Sequence, residues 1–246
     1  MPQTKLDPKH EDLLKEYIVA LRGIFQNNLV SIILYGSGAS GEFISDYSNF
    51  NLLVVLENAE LNHLKGVSDL VNKLKFKRIR PMFMDEKFIL SSADVFPIEF
   101  SDMQDSYIVL MGRDILKEIR IDLKDLRFQC EQELKEKLLN MKQQYLAVGH
   151  DKLEVKNLLF KSFTSVIHIF RNILRVKGTP PPLLKIDVLR QVSVELNVRI
   201  DTFRRVLEVK NTPNALTGQE AENLFFDFVR DLETAVNIID KIYFNA

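Results

Sequence analysis

A single cysteine, Cys130, excludes any internal disulfide, and its setting in the amphipathic run LRFQCEQELKEKLL reads as a small helix residue in a reducing compartment. Tryptophan is absent, and 17 phenylalanines supply most of the aromatic content, which points to a Phe-rich core and to nothing about a ligand. No apolar run approaches about 18 residues, the length a membrane-spanning helix needs. The start, MPQTKLDPKHEDLLKEY, is polar and of mixed charge, without the apolar segment of a secretory signal, so the expectation is a cytoplasmic, unanchored protein. Neither sign of charge dominates: 33 Lys and Arg stand against 34 Asp and Glu, a net charge of −1. That balance gives no global drive toward nucleic acid or an anionic membrane, while a local basic cleft stays allowed. Zinc-ligand spacing, a Walker-type lysine loop and a serine or cysteine nucleophile signature are all missing. What remains is a chain of 246 residues, 46% hydrophobic and 27% charged, long enough for two modest domains.

The informative stretch is LYGSGASGEFISDYSNFNLLVVL, residues 34–56. Residues 29–35, LVSIILY, are an apolar, β-branched-rich run that stops at Gly36, the pattern of a buried strand ending in a turn. The turn, residues 36–41, has glycine at Gly36, Gly38 and Gly41, so its backbone can approach a ligand and aim N–H groups at an anion. A second apolar run follows over 51–56, and strand alternation puts Asn49 and Asn51 on one face at its entrance. Two side chains so spaced can grip one ion or one phosphate together.

An apolar strand, Gly-Ser, a small-residue turn, then Ser-acid-apolar-acid and another apolar strand resembles the nucleotidyltransferase superfamily that includes DNA polymerase beta and the aminoglycoside nucleotidyltransferases. The matching positions are Gly36, Ser37, Gly41, Ser48, Asn49, Phe50 and Asn51. The family's third acid lies on a later strand, and VFPIEF at 95–100 is similar to it, placing Glu99 there; 107–116, YIVLMGRDIL, resembles the strand and turn that follow. The resemblance implies a nucleoside triphosphate held by Gly36, Ser37, Ser48, Asn49 and Asn51. It implies Mg²⁺ on Asn49, Asn51 and Glu99, with Glu99 as the catalytic carboxylate.

The departure from the pattern matters more than the match, because both acids of the motif are replaced by Asn. Mg²⁺ takes hard, charged oxygens, and an Asn carbonyl carries no charge. At an effective dielectric of about 20 and contact distance, each missing carboxylate forfeits on the order of 4 kcal/mol of ion attraction. Glu42 and Asp46 lie in the same loop and offer substitutes, at spacings that do not match the motif. Three readings follow. The protein is a catalytically degenerate member of the fold that binds a nucleotide, an RNA end or a protein partner. Alternatively it is an active Mg²⁺-dependent transferase moving a nucleoside monophosphate to a hydroxyl of a small molecule. A third reading is a nucleotidyltransferase-type partner in a two-protein toxin and antitoxin system. Structural roles compete with each residue: Asn49 and Asn51 as turn caps, Glu99 as an ion-pair acid.

Helical periodicity appears over 11–26, 61–76 and 86–92, and strands are expected near 29–35, 50–56, 81–85, 96–101 and 107–111, with Pro81 arguing for an edge position. The expectation is an α+β nucleotidyltransferase-type mixed sheet with packed helices over 1–120. An all-α helical bundle over 121–246 follows, from amphipathic stretches at 126–148, 155–176, 186–196, 201–209 and 219–243. The second of these is apolar on most of its circumference and is read as the buried helix, with His168 more often packed than a ligand. Lys156, Lys161, Arg171, Arg175 and Lys177 are read either as phosphate contacts or as a solvated rim.

Overall fold

The computed structural model describes residues 8–40, 49–75, 78–148, 151–211 and 216–242. The chain divides into two compact units, Met1–Asp122 and Leu123–Ala246.

In the first unit, helix α1 (Pro8–Phe25) precedes strand β1 (Leu29–Tyr35), the short helix α2 (Ser37–Ser40) and strand β2 (Phe50–Leu56). Helices α3 (Leu61–Leu64) and α4 (Ser68–Lys75) lead to β3 (Ile79–Asp85), α5 (Glu86–Ser91), α6 (Pro97–Asp105) and β4 (Tyr107–Gly112). The described strands form one mixed sheet in the order β3-β2-β1-β4, with β2 and β3 parallel and the other pairs antiparallel. Both faces are covered, which is why β1 and β2 read as continuous apolar runs. One face packs Ile32, Leu34, Leu52 and Val54 against Leu14, Tyr17, Leu21 and Phe25 of α1. The other packs Ile33, Leu53 and Val55 against Ile89 of α5 and Phe100 and Met103 of α6.

Strand β3 is an edge, so Pro81 is tolerated there. The Phe50 amide donates to the Arg78 carbonyl at 2.9 Å, which sets the phase of the parallel ladder. Even-numbered residues of β3 therefore pair with β2, and the donor that Pro81 lacks would face outward. The strand expected over 96–101 is instead the start of α6: Pro97 occupies its first turn, where a missing N–H costs nothing, and Ile98, Phe100, Ser101 and Met103 are its buried side. The single helix expected over 61–76 is interrupted by a 3-10 turn at Lys65–Val67.

Tyr17 is 1% exposed, and its hydroxyl has no hydrogen-bond partner among the described residues. Burial pushes its pKa up. Removing an unpaired buried hydroxyl removes a desolvation cost, so Tyr17→Phe is expected to raise stability by about 1 kcal/mol in urea unfolding. A loss of stability would show that the hydroxyl is satisfied.

The second unit contains helices α7 (Leu123–Val148), α8 (Lys152–Val176), α9 (Lys185–Leu196), α10 (Asp201–Asn211) and α11 (Gly218–Ile242). Asp151 caps α8, accepting from the amides of Leu153 and Glu154. α8 packs against the other four helices, and a chain of edge-to-face rings, Phe170–Phe203–Phe228–Phe163, runs through the core. Glu222 of α11 is nearly buried and accepts from Lys152, from the Tyr145 hydroxyl at 3.0 Å and from Gln219 at 3.1 Å. The Lys152 and Tyr145 hydrogen bonds hold its carboxyl below the ordinary glutamate value. Cys130 is buried in α7. Among the described residues, no helix is long and apolar enough to cross a membrane.

Candidate functional site

The site is built at the end of β1. Gly36 turns the chain with φ of +73°, a conformation costly for any residue with a side chain. Its amide donates to the Ser106 carbonyl at 3.0 Å, and its carbonyl accepts from the amides of Ala39 at 2.9 Å and Ser40 at 3.0 Å. The Gly36 N–H is thus spent on the loop before β4, and cannot serve the phosphate cradle expected of this turn. A Cβ built on Gly36 would stand 3.4 Å from Nδ2 of Asn51, so the turn lies directly against that amide. Gly38 is as closely confined, with a Cβ there meeting Leu34 at 3.1 Å and Phe50 at 3.3 Å.

Register fixes the neighbours of Asn51. It pairs with Tyr35 of β1 on one side and with Arg80 of β3 on the other, and Tyr35 pairs in turn with Tyr107 of β4. Neighbouring strands lie about 4.8 Å apart, and paired residues share a face. One row therefore crosses the end of the sheet as Arg80, Asn51, Tyr35 and Tyr107, on the face whose interior holds Ile33, Leu53 and Val55. Phe50 points to the opposite face, where its ring lies 5.1 Å from that of His10. Asn51 and Tyr35 are half-buried and Arg80 is exposed. Burial pushes the Tyr35 phenol up, and burial together with a 3.1 Å hydrogen bond donated to Oδ2 of Asp114 pushes Tyr107 up.

Of the residues expected at the site, Gly36 and Asn51 lie against each other, with Ser37 following Gly36 at the start of α2 and Asn49 two residues before Asn51. Ser48, Gly41, Glu42 and Asp46 lie outside the described residues. Glu99 is not on a strand in register with the Asn pair; it lies exposed in the first turn of α6. The later strand that flanks Asn51 is β3, and the residue it places there is Arg80. Sequence reasoning missed Arg80 because its pairing with Asn51 depends on parallel register across an intervening helical crossover. In the helical unit, His168 is exposed, contrary to the packed histidine expected. The Arg171 guanidinium donates to the Pro182 carbonyl at 2.6 Å, Arg175 donates to Asn172, and the Lys156 ammonium lies 5.9 Å from the Phe160 ring centroid.

Among the described residues the donor set does not fit Mg²⁺: the carboxamides of Asn49 and Asn51 supply no negative charge, and no three His, Cys, Asp or Glu side chains are grouped to hold a metal.

A mixed sheet with this Gly-Ser turn between its central strands, followed by a helical C-terminal half, is the nucleotidyltransferase-type fold. The chain is similar over 94% of its length, and over 99% of the other chain, to the crystal structure of spectinomycin adenyltransferase from Enterococcus faecialis with ATP and spectinomycin. The TM-score is 0.60 and the identity 15%, so the likeness is one of fold. No family model matches the chain, and neither does any curated protein.

Proposed function

We propose that this protein is a catalytically degenerate member of the nucleotidyltransferase fold that binds a nucleotide. What supports the reading is the sequence at the turn, which has Asn49 and Asn51 where the resemblance expects an acidic pair, together with the register that sets Arg80 of β3, and no carboxylate, opposite Asn51. A site that must gather Mg²⁺ against triphosphate charge needs carboxylates there, and this one has amides and a guanidinium. That the similar adenyltransferase structure holds ATP supports a nucleotide as the ligand class. The competing reading, an active Mg²⁺-dependent transferase, would have to draw carboxylates from Glu42 and Asp46.

Calorimetric titration of the four nucleoside triphosphates, with pyrophosphate release followed in parallel, tests the proposal. Binding in the micromolar range without pyrophosphate release in Mg²⁺ is expected across a panel of hydroxyl acceptors. Turnover with any acceptor would show the site to be an active one.

A further inference from the structure

We infer that Asn51 and Tyr35 hold the base of the nucleotide: the carboxamide takes the donor–acceptor edge of a nucleobase, adenine being the best match, with the phenol as a second hydrogen-bonding group beside it. The neutral end of the ligand, and not its phosphates, is then what this row of the sheet binds. The inference rests on the nucleotide-binding reading above and names the part of the nucleotide that the row takes.

The first support is a pair of polar groups that the fold leaves unsatisfied. Asn51 and Tyr35 are direct partners on antiparallel strands, so they share a face with Cβ atoms about 4.5–5.5 Å apart. Neither the carboxamide nor the phenol has a hydrogen-bond partner among the described residues. The orphan hydroxyl of Tyr17 is sealed in the core at 1% exposed, whereas Asn51 and Tyr35 are half-buried and each keeps part of its surface open. Gly36, against which the carboxamide lies, adds no side chain to cover it. Polar groups at such depth ordinarily have a partner, so two adjacent ones left open are placed to take it from a ligand.

The second support is that the pair is uncharged. Its neighbours along the row direct their polar groups elsewhere: an Arg80 guanidinium N–H donates to the Ile79 carbonyl of its own strand at 3.3 Å, and the Tyr107 hydroxyl donates to Asp114 at 3.1 Å. Burial pushes the Tyr35 phenol up, so it stays protonated at physiological pH. Its ring packs against the cluster of Ile33, Leu53 and Val55, which fixes where the hydroxyl stands. A neutral pair carrying both donors and acceptors is poorly matched to phosphate and well matched to a nucleobase edge. The adjacent amino donor and ring-nitrogen acceptor of adenine pair with one carboxamide in two hydrogen bonds, as when Asn or Gln reads adenine in DNA.

The test is calorimetric titration of the full chain with ATP, with adenosine and with purine riboside, which lacks the 6-amino group, in EDTA. It is run on the unaltered protein and on Tyr35→Phe and Asn51→Leu. Adenosine is expected to bind within a fewfold of ATP and to change little as salt is raised. Purine riboside and Asn51→Leu should each weaken binding by about tenfold or more, and Tyr35→Phe by a smaller factor. Because neither side chain has a partner in the protein, both variants are expected to melt no lower than the unaltered chain. Lower melting in both would show that the groups are satisfied internally, and overturns the inference. So does ATP binding that adenosine fails to reproduce, or adenosine binding that ignores Asn51→Leu, with nucleotide binding left standing. Failure of ATP and adenosine alike removes both the inference and the reading it rests on.

Discussion

Gly112→Ala is expected to cost the first unit a large part of its stability, on the order of 2–5 kcal/mol. The residue closes β4 with φ of +81°, and an L side chain there costs about 1–2 kcal/mol in backbone conformation alone. The second component is steric. A Cβ at this position would stand 2.0 Å from the Val30 carbonyl oxygen and 2.9 Å from Cα of Ser31, both backbone of the central strand β1. Neither can move as a rotamer moves, and overpacking of this kind costs about 1–3 kcal/mol more. Ser31 itself is fully buried and shares its one hydroxyl proton between the Arg113 carbonyl at 2.7 Å and the Met111 carbonyl at 3.0 Å, so a shift of β1 also disturbs the hydrogen bonding that ties the end of β4 down. Gly178→Ala is the control, since φ there is +78° with nothing within 4 Å of the added carbon. Urea unfolding should show a loss several times larger at Gly112 than at Gly178. Equal losses would mean that the close approach of Val30 is not a feature of the protein in solution.

The second large effect is a gain. Asn49→Asp, Asn51→Asp and Arg80→Glu, combined, replace two amides and a cation with three carboxylates along one sheet end. Each new charge is worth up to about 4 kcal/mol of ion attraction at contact, before desolvation and repulsion among the acids are subtracted. With every 1.4 kcal/mol equal to tenfold, a net gain of at least about a hundredfold in Mg²⁺-dependent ATP affinity is expected. Calorimetry with and without EDTA reads it, and pyrophosphate release reports whether chemistry returns with the metal. If the triple variant acquires no Mg²⁺ dependence, the row through Asn51 is not where the fold holds its ions. If the unaltered protein already turns over, the degenerate reading is wrong.

The two central strands were legible because each is apolar on both faces and bounded by Gly36 or by polar residues, a pattern with few competing interpretations. The long helices beyond residue 122 were legible from their 3.6-residue period. Two local readings failed for physical reasons. VFPIEF has the bulk of a strand, but its proline serves as a helix-start residue, and the apolar residues that follow are one side of α6. His168 sits among apolar neighbours in sequence, yet α8 is not buried all round, and the histidine falls on the side its packing leaves exposed. At the candidate site the asparagines were legible as a spaced pair at the entrance of β2. The cross-strand neighbour of Asn51 was not, because Arg80 is brought opposite it only by strand order and register, and neither is written in any local pattern.

Pro81 adds a consequence for how these molecules behave toward one another. An exposed strand edge is ordinarily a template on which a second chain can extend the sheet, and the end product of that process is polymer. Here an incoming strand would find, one residue from Arg80, a position with no hydrogen to donate and a ring in the way. The same residue that marks β3 as the outer strand of the described sheet therefore works against the extension of that border by a second copy of the chain.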